Sequence, residues 1–579
     1  MLKEAVYHKI CSDYAYALSR EELLIKIRTK KNDAEKINLI YLDKYKYPTN
    51  KETFTIVMKK MASDNLFDYY EAVIKHNFIS VNYFFEFIDG KETLYYANYL
   101  FSAEQPEDGQ EFFNFPVMDE KDIFLVPEWA GEAVIYQIFP ERFHNGDTSN
   151  DPAEVKPWDS EVDRQIMLGG DLQGIIDKLD YIEDLGINAI YMTPVFKAGS
   201  NHKYDTYDYF QIDPQFGSLE TLKELVDKAH KRNIRVILDA VFNHSGVEFP
   251  PFRDVVDNGE NSEYRDWFHI RKFPVKIKEE PDYGTFAYGG HMPKLMTGNE
   301  AVKKYLIDVA TYWIKEADID GWRLDVADEA GHHFWREFRK SVKAVKPDAL
   351  IAGEVWYESS AWLQGDQFDS VMNYVFTDAV KNFVALEKIN AKEFGERIES
   401  IRGLYKLPAY NALWNLIGSH DTARFLTLSQ GDVRKLRLAA FIQFTFTGIP
   451  MIYYGDEIGM TGGSDPECRK GMIWDTGNQN TELKEYYKKL ISIRKDNKEL
   501  THGNFKTVLA DEARNIYGFR RSFKQECMEG YINNMDADQW VLIEVSKSAA
   551  DLLTGKVYKP VRGRIKVHIP AKAGVIIKV

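Results

Sequence analysis

The chain has 579 residues, 44% hydrophobic and 28% charged, with a formal net charge of −15. That length exceeds what one hydrophobic core supports, so roughly two to four domains are expected. The acidic balance argues against a nucleic-acid partner, and with no uninterrupted apolar run of about 18 residues no membrane span is expected.

Residues 1–126 read as short alternating runs separated by turn residues: "ELLIKIRTK", "INLIYLD", "FTIVMKKM", "NYFFEFIDG" and "TLYYANYLF". This pattern predicts an N-terminal β-sandwich. Over residues 127–501 the rhythm changes to apolar runs alternating with amphipathic helical segments. The predicted strands are "AVIYQIFP", "AIYMTPV", "RVILDAVFNH", "GWRLDVA", "LIAGEVW", "FDSVMNY", "NLIGSHD" and "MIYYGDE". Eight strands with intervening helices predict an α/β fold, a (β/α)8 TIM barrel. A doubly wound open sheet is the competitor, but no Gly-rich dinucleotide fingerprint follows any strand. The connection after the third strand is far longer than a normal βα loop, so an inserted subdomain is expected at about 245–298. Residues 502–579 return to alternation and predict a C-terminal β-sandwich. The cysteines Cys11, Cys468 and Cys527 lie far apart and form no metal or disulfide pattern. The N-terminus has no apolar h-region of a signal peptide, so a cytoplasmic location is expected.

In such a barrel, chemistry sits at the C-terminal ends of the strands. Those ends carry Asp239, Asn243 and His244 on the third strand, Arg323 and Asp325 on the fourth, and Glu354 and Trp356 on the fifth. His420 and Asp421 end the seventh, Asp456 and Glu457 the eighth. One ion pair in a strand is unremarkable by itself, but buried charge at several strand ends is rare unless paired or used. Arg323 and Asp325 are two residues apart and share a strand face. The guanidinium would favour the ionised aspartate, as a nucleophile requires. Glu354 stands between the apolar "LIAG" and "VW", a setting expected to raise its pKa toward that of a working acid. Glycosidic bond cleavage needs one such acid and one such carboxylate. Aromatic rings, abundant here with 34 Tyr, 35 Phe and 11 Trp, suit sugar faces as well as protein cores.

"DAVFNH", "GWRLDVADE", "GEVW" and "GSHD", in this order and spacing, resemble the four signature regions of the α-amylase family of glycoside hydrolases. With "YQIFPERFHNGD", "SNHKYDTYDYFQIDPQFG", "MPKL", "WLQGDQFDSVMNY" and "GIPMIYYGDEIG", nearly the whole chain is similar to the neopullulanase, cyclomaltodextrinase and maltogenic amylase group. The resemblance implies Asp325 as nucleophile, Glu354 as acid/base and Asp421 as the group that holds the distorted sugar. It implies Arg323, His202, Asn243, His244 and His420 around the reacting ring, with Tyr204 stacked beneath it. Asp465 and Arg469 would shape the same subsite, and Trp356 the leaving-group side. It further implies retention of anomeric configuration, α-glucan oligosaccharides or cyclodextrins as substrates, no organic cofactor, and a starch-binding-like N-terminal module.

Three positions depart from the group's pattern: Met296 and Asp328 stand where Asn is usual, and Tyr357 where His often follows the Trp. They are expected near the substrate-facing rim. Asn145, Asp147, Asn150, Asp151 and Asp171, with the carbonyl of Gly169, are oxygen donors that suit Ca2+. By spacing alone they are equally a polar turn; the resemblance implies a structural calcium remote from catalysis. The histidines hold no H-x-H or HExxH pair, which argues against a metal hydrolase. Tyr45 and Tyr47 read by themselves as solvent-side loop tyrosines of the N-terminal module; the resemblance implies a homodimer in which one such module covers the partner's cleft. A catalytically silent binding protein and a dedicated transglycosylase remain as alternatives.

Overall fold

The computed structural model describes residues 1–46, 52–90, 92–107, 109–287 and 289–579. Tyr47 lies outside the described residues. At the N-terminus, Ala15–Ala17, Glu22–Lys30, Phe67–Lys75 and Lys59–Ser63 make one antiparallel sheet. It faces a second built on Lys36–Asp43 and Val81–Asp89. Inward residues such as Ile25, Ile27, Leu39, Ile74 and Phe85 fill the space between them. Two runs that read as single strands are broken. "FTIVMKKM" divides at buried Met58 into Phe54–Val57 on one sheet and Lys59–Ser63 on the other. "TLYYANYLF" folds back at Asn98 and Tyr99, both at positive φ, into the hairpin Glu92–Ala97 and Leu100–Ser102.

The barrel strands are Ile135–Ile138, Ala189–Met192, Arg235–Ala240, Gly321–Leu324, Leu350–Gly353, Ser370–Val371, Trp414–Leu416 and Ile449–Tyr453. They pair in parallel in chain order, the eighth against the first. A parallel bridge between Met372 and Trp414 closes the ring from sixth to seventh strand. Ile135, Ala189, Tyr191, Ile237, Leu350, Ala352, Trp414 and Met451 pack its interior. The charged side chains occupy the layer beyond this apolar plug, where the strands end.

After the third strand the chain runs out through the helix Pro250–Asn258 and comes back so that Ser245 bonds the Pro293 carbonyl and Leu295 the Asn243 carbonyl. The excursion stands over the strand ends before the helix Glu300–Ala317, capped by the Asn299 side chain, resumes the barrel. The C-terminal sandwich packs Asn504–Asp511, Ile516–Phe523, Glu526–Asn533 and Ala573–Lys578 across from Gln539–Glu544 and Arg564–Ile569. Polar links tie the N-terminal module to the barrel, among them Lys26 Nζ to the Tyr405 carbonyl (2.8 Å) and Arg402 to Glu71 (2.6 Å). Among the described residues no helix is long and apolar enough to cross a membrane.

Candidate active site

The register of the third and fourth barrel strands sets Asp239 beside Arg323. Arg323 Nη1 donates to both oxygens of Asp239 (3.0 and 2.9 Å) and to Asp325 Oδ1 (2.9 Å). Its Nη2 lies 2.9 Å from Glu354 Oε2. One buried guanidinium thus serves three carboxyls, two of which the spacing within "GWRLD" does not reveal. Val326, next in the chain, is held at φ +44, a costly conformation for a β-branched residue. This turns its N–H onto Glu354 Oε2 at 3.0 Å. Glu354 Oε1 accepts from Trp356 Nε1 at 3.1 Å. The surroundings of Glu354 therefore differ from the apolar pocket expected from its sequence neighbours: a cation and two N–H donors converge on it.

Burial is the largest influence on this cluster. It raises Asp325 well above the usual carboxylate range, with Arg323 opposing and the charges of Glu354, Asp239 and Asp421 adding. Asp239 is raised for the same reason. Burial and the charge of Glu354 push Asp421 up to about 7, against Arg469 and Arg323. Arg323 does favour ionised Asp325, as the sequence suggests, but burial outweighs it. Burial and mutual repulsion thus tie the ionisation of Asp239, Asp325 and Asp421 to one another.

Asp325, Glu354 and Asp421 open into a cleft of about 690 Å³ lined also by His202, Tyr204, His244, Trp356, Asp465 and Arg469. The Tyr204 ring stacks on His420 (5.4 Å, 5°), and its hydroxyl donates to Asp239 Oδ2 at 3.0 Å. Gln137 Nε2 stands 2.8 Å from His420 Nδ1, fixing the imidazole from the first strand. Arg469 joins Asp421 (3.1 Å) to Asp465 (3.0 Å). Trp356 is 50% exposed and lies flat on Tyr374 at 4.0 Å. Burial lowers the imidazoles of His202 to about 4 and His244 to about 3, and holds that of His420 well below its usual range. All three are neutral at pH 7, suited to hydroxyl groups. Among the described residues His244 Nε2 is buried with no hydrogen-bond partner.

Asn243 does not line the cleft. Its amide is engaged by Lys294 (2.5 Å) and Glu329 (3.3 Å), which lock the inserted segment to the fourth strand's loop. Met296 also faces elsewhere, into a groove with Phe268 and Arg271 on the insert, whereas Asp328 lines the cleft. Sequence reasoning placed Asp239 at a strand end without a role in the site. It missed Arg164, Phe286 and Glu329, which line the cleft from loops that carry no periodic signal.

Of the six residues proposed for calcium, Asn145, Asn150, Asp151, Gly169 and Asp171 come together apart from this cleft. Asp171 caps the helix Leu172–Asp177 through Gly174 N (2.6 Å) and accepts from Gly146 N, Asp147 N and Asn150 Nδ2. Asn145 Nδ2 donates to Asp151 Oδ1 at 2.7 Å. Gly169, at φ +82, approaches so closely that a Cβ would meet Asp151 and Asn145. Among the described residues the amide oxygens of Asn145 and Asn150 are buried and have no partner. Asp147 is turned away, its carboxylate accepting from Ser149. Among the described residues no three His, Cys, Asp or Glu side chains converge as metal ligands; this cradle depends on amide and carbonyl oxygens as well, a donor set that fits a hard cation.

A carboxyl pair held on one arginine at the mouth of a closed barrel is the apparatus of a glycoside hydrolase. Residues 137–503 match the alpha amylase catalytic domain and residues 1–119 the alpha amylase N-terminal ig-like domain. The chain belongs to the α-amylase family. It is 48% identical over 561 residues to a cyclomaltodextrinase of Thermoanaerobacter pseudethanolicus, covering 96% of this chain and 97% of that one. It is 46% identical over 585 residues to neopullulanase 2 of Thermoactinomyces vulgaris, covering 100% and 99%. A solved cyclomaltodextrinase superposes over 100% of both chains with a TM-score of 0.96 at 44% identity.

Proposed function

We propose that the protein cleaves α-1,4-glucosidic bonds of cyclodextrins, maltooligosaccharides and pullulan with retention of configuration. The observation that carries this reading is the shared guanidinium: Asp325 and Glu354 each lie 2.9 Å from Arg323 at the floor of the cleft. Retaining carboxyl pairs stand about 5 Å apart, closer than the roughly 6.5–9.5 Å that admits a water between them. In this reading ionised Asp325 attacks the anomeric carbon while Glu354 protonates the departing oxygen. Glu354 then takes the proton of an incoming water as the glycosyl ester opens. Asp421, with Arg469 and His420, holds hydroxyls of the distorted ring, and Tyr204 lies under it. The likeness to enzymes named cyclomaltodextrinase and neopullulanase supports the substrate class. An inactive barrel would be expected to lack a carboxyl of this set, and none is lacking.

Product analysis on β-cyclodextrin, pullulan and soluble starch tests this directly. Ring opening to maltose and glucose is expected; no turnover of any of the three would overturn it.

We propose a structural calcium held by Asn145, Asn150, Asp151, Asp171 and the Gly169 carbonyl. Bound there, the ion would neutralise the carboxylates and fix the loop, with no part in bond cleavage. Calcium is expected to raise the melting midpoint by a few degrees over the chelated protein, as a ligand of the native state does. Asp151→Ala should erase that difference. An unchanged midpoint on chelation would rule the ion out.

The reading extends to a homodimer with the N-terminal sandwich over the partner's cleft. Supporting it, Tyr45 (63% exposed), Val57 (54%) and Ile79 (64%) stand out on that module near the Tyr41–Phe54–Phe78 ring cluster. Tyr45→Ala with Ile79→Asp should give monomers by light scattering and raise activity on starch relative to cyclodextrin. A dimer with an unchanged ratio would count against it. An intracellular location is proposed too, on the 43% identity to an intracellular maltogenic amylase of Bacillus subtilis.

A further inference from the structure

In the C-terminal sandwich the strands Gln539–Glu544 and Arg564–Ile569 bury one face and leave the other to solvent. Val541, Ile543, Val545, Ile565, Val567 and Ile569 alternate inward to the core. Their neighbours point outward, paired across the strands as Trp540 with His568, Leu542 with Lys566 and Glu544 with Arg564. Leu542 is 65% exposed, and Trp540 is half-exposed beside it. Just before the second strand, Val561 and Arg564 close a tight turn through two backbone hydrogen bonds (2.8 and 3.2 Å). Its central residues, Arg562 (φ +52) and Gly563 (φ +75), are both left-handed, as a two-residue hairpin turn requires. The turn holds Val561 out at 74% exposure.

A groove of about 740 Å³ runs between strands and turn, lined by Leu542, Val561, Lys559, Arg562, Arg564 and Lys566. The carboxylate that lines it, Glu544, is taken by Arg564 at 3.0 Å. Among the described residues Lys559, Arg562 and Lys566 have no carboxylate partner, and Lys566 Nζ lies 5.5 Å over the Trp540 ring. This surplus of cations stands on a chain whose net charge is −15. The groove shares no residue with the catalytic cleft.

Apolar side chains held out among unpaired cations call for a partner that receives both. A nucleic acid would answer the cations but leave Leu542 and Val561 in water. A second copy meeting this face about a twofold axis would set the same cations against each other. A bilayer with anionic headgroups takes both, its phosphates against Lys and Arg and its acyl boundary against Leu, Val and Trp. We propose that this face docks the protein on an anionic lipid surface, with Leu542 and Val561 seated among the headgroups. The inference goes beyond the glycosidase reading and does not depend on it.

Co-sedimentation with vesicles of phosphatidylglycerol and phosphatidylcholine in equal parts tests it, set against phosphatidylcholine alone. Wild type should pellet with the first only, and added salt should release it. A cation near such a surface is worth about fivefold in binding, so Lys559→Gln with Arg562→Gln should weaken it about 25-fold. Leu542→Ser with Val561→Ser keeps every charge and should weaken it about tenfold by removing apolar surface. Both pairs lie on open surface and should keep the wild-type melting midpoint. No pelleting of wild type, or pelleting that neither pair weakens, would overturn the proposal. Release by millimolar inorganic phosphate would assign the groove to a small anion instead. Binding lost with the cations but untouched by Leu542→Ser with Val561→Ser would replace the bilayer by a soluble polyanion. Self-association by light scattering that this same pair abolishes would assign the face to a second copy.

Discussion

Asp325→Asn is expected to lower turnover of β-cyclodextrin by on the order of 10⁴-fold while leaving the ring able to bind. The amide is nearly isosteric with the carboxylate, but it cannot form the glycosyl ester. Its neighbours Tyr204, His244 and Trp356 still line the cleft to receive sugar. Glu354→Gln should be nearly as damaging on cyclodextrin, whose leaving oxygen needs a proton. The two variants separate on an α-maltosyl fluoride, whose leaving group needs none. Glu354→Gln should release fluoride in a burst and accumulate a maltosyl ester on Asp325, seen as added mass on one peptide. Asp325→Asn should show neither. An ester on any other residue would refute the assignment of roles.

Arg323→Met should do the second-largest damage, and in a pH-dependent way. Arg323 is the cation shared by Asp239, Asp325 and Glu354, all of them buried. Its charge is the largest influence opposing the rise of the Asp325 pKa. An opposite charge within contact is worth about 1–3 pKa units, so its removal lets Asp325 climb by that much. Below its pKa the carboxyl is protonated and cannot attack. The acid limb of the kcat/KM profile should therefore move to higher pH by at least about one unit, with activity at neutral pH falling and partly recovering as pH rises. Breaking a buried ion pair also costs about 3–5 kcal/mol of stability, so the melting midpoint should drop. Arg323→Lys keeps the charge without the fork and should shift the limb less. If Arg323→Met were inactive at every pH while folded, the arginine would be acting on substrate geometry rather than on ionisation.

The order of elements was legible because its signal is local. Each barrel strand is a short apolar run bounded by turn residues, and all eight appear where those runs stand. The first misreadings were local too. Met58 looks like one more strand residue, yet the chain changes sheet there. Asn98–Tyr99 looks like strand until both residues take positive φ. Whether a run bends depends on the sheet it must pack against, and a window of a few residues does not contain that sheet.

The site divides along the same line. By itself the sequence determined that charge collects where the barrel strands end, and which carboxyls those are, because position in a strand follows from period and chain order. Only the tertiary structure decided that Arg323 holds Asp239 and Glu354 as well as Asp325. Likewise it turned Asn243 and Met296 away from the cleft, brought Gln137 onto His420 across 283 residues, and joined Asp328 to Tyr357 across 29. Coulomb forces and hydrogen bonds act over a few ångströms of space, and which residues share that space is fixed by how the strands close into a ring.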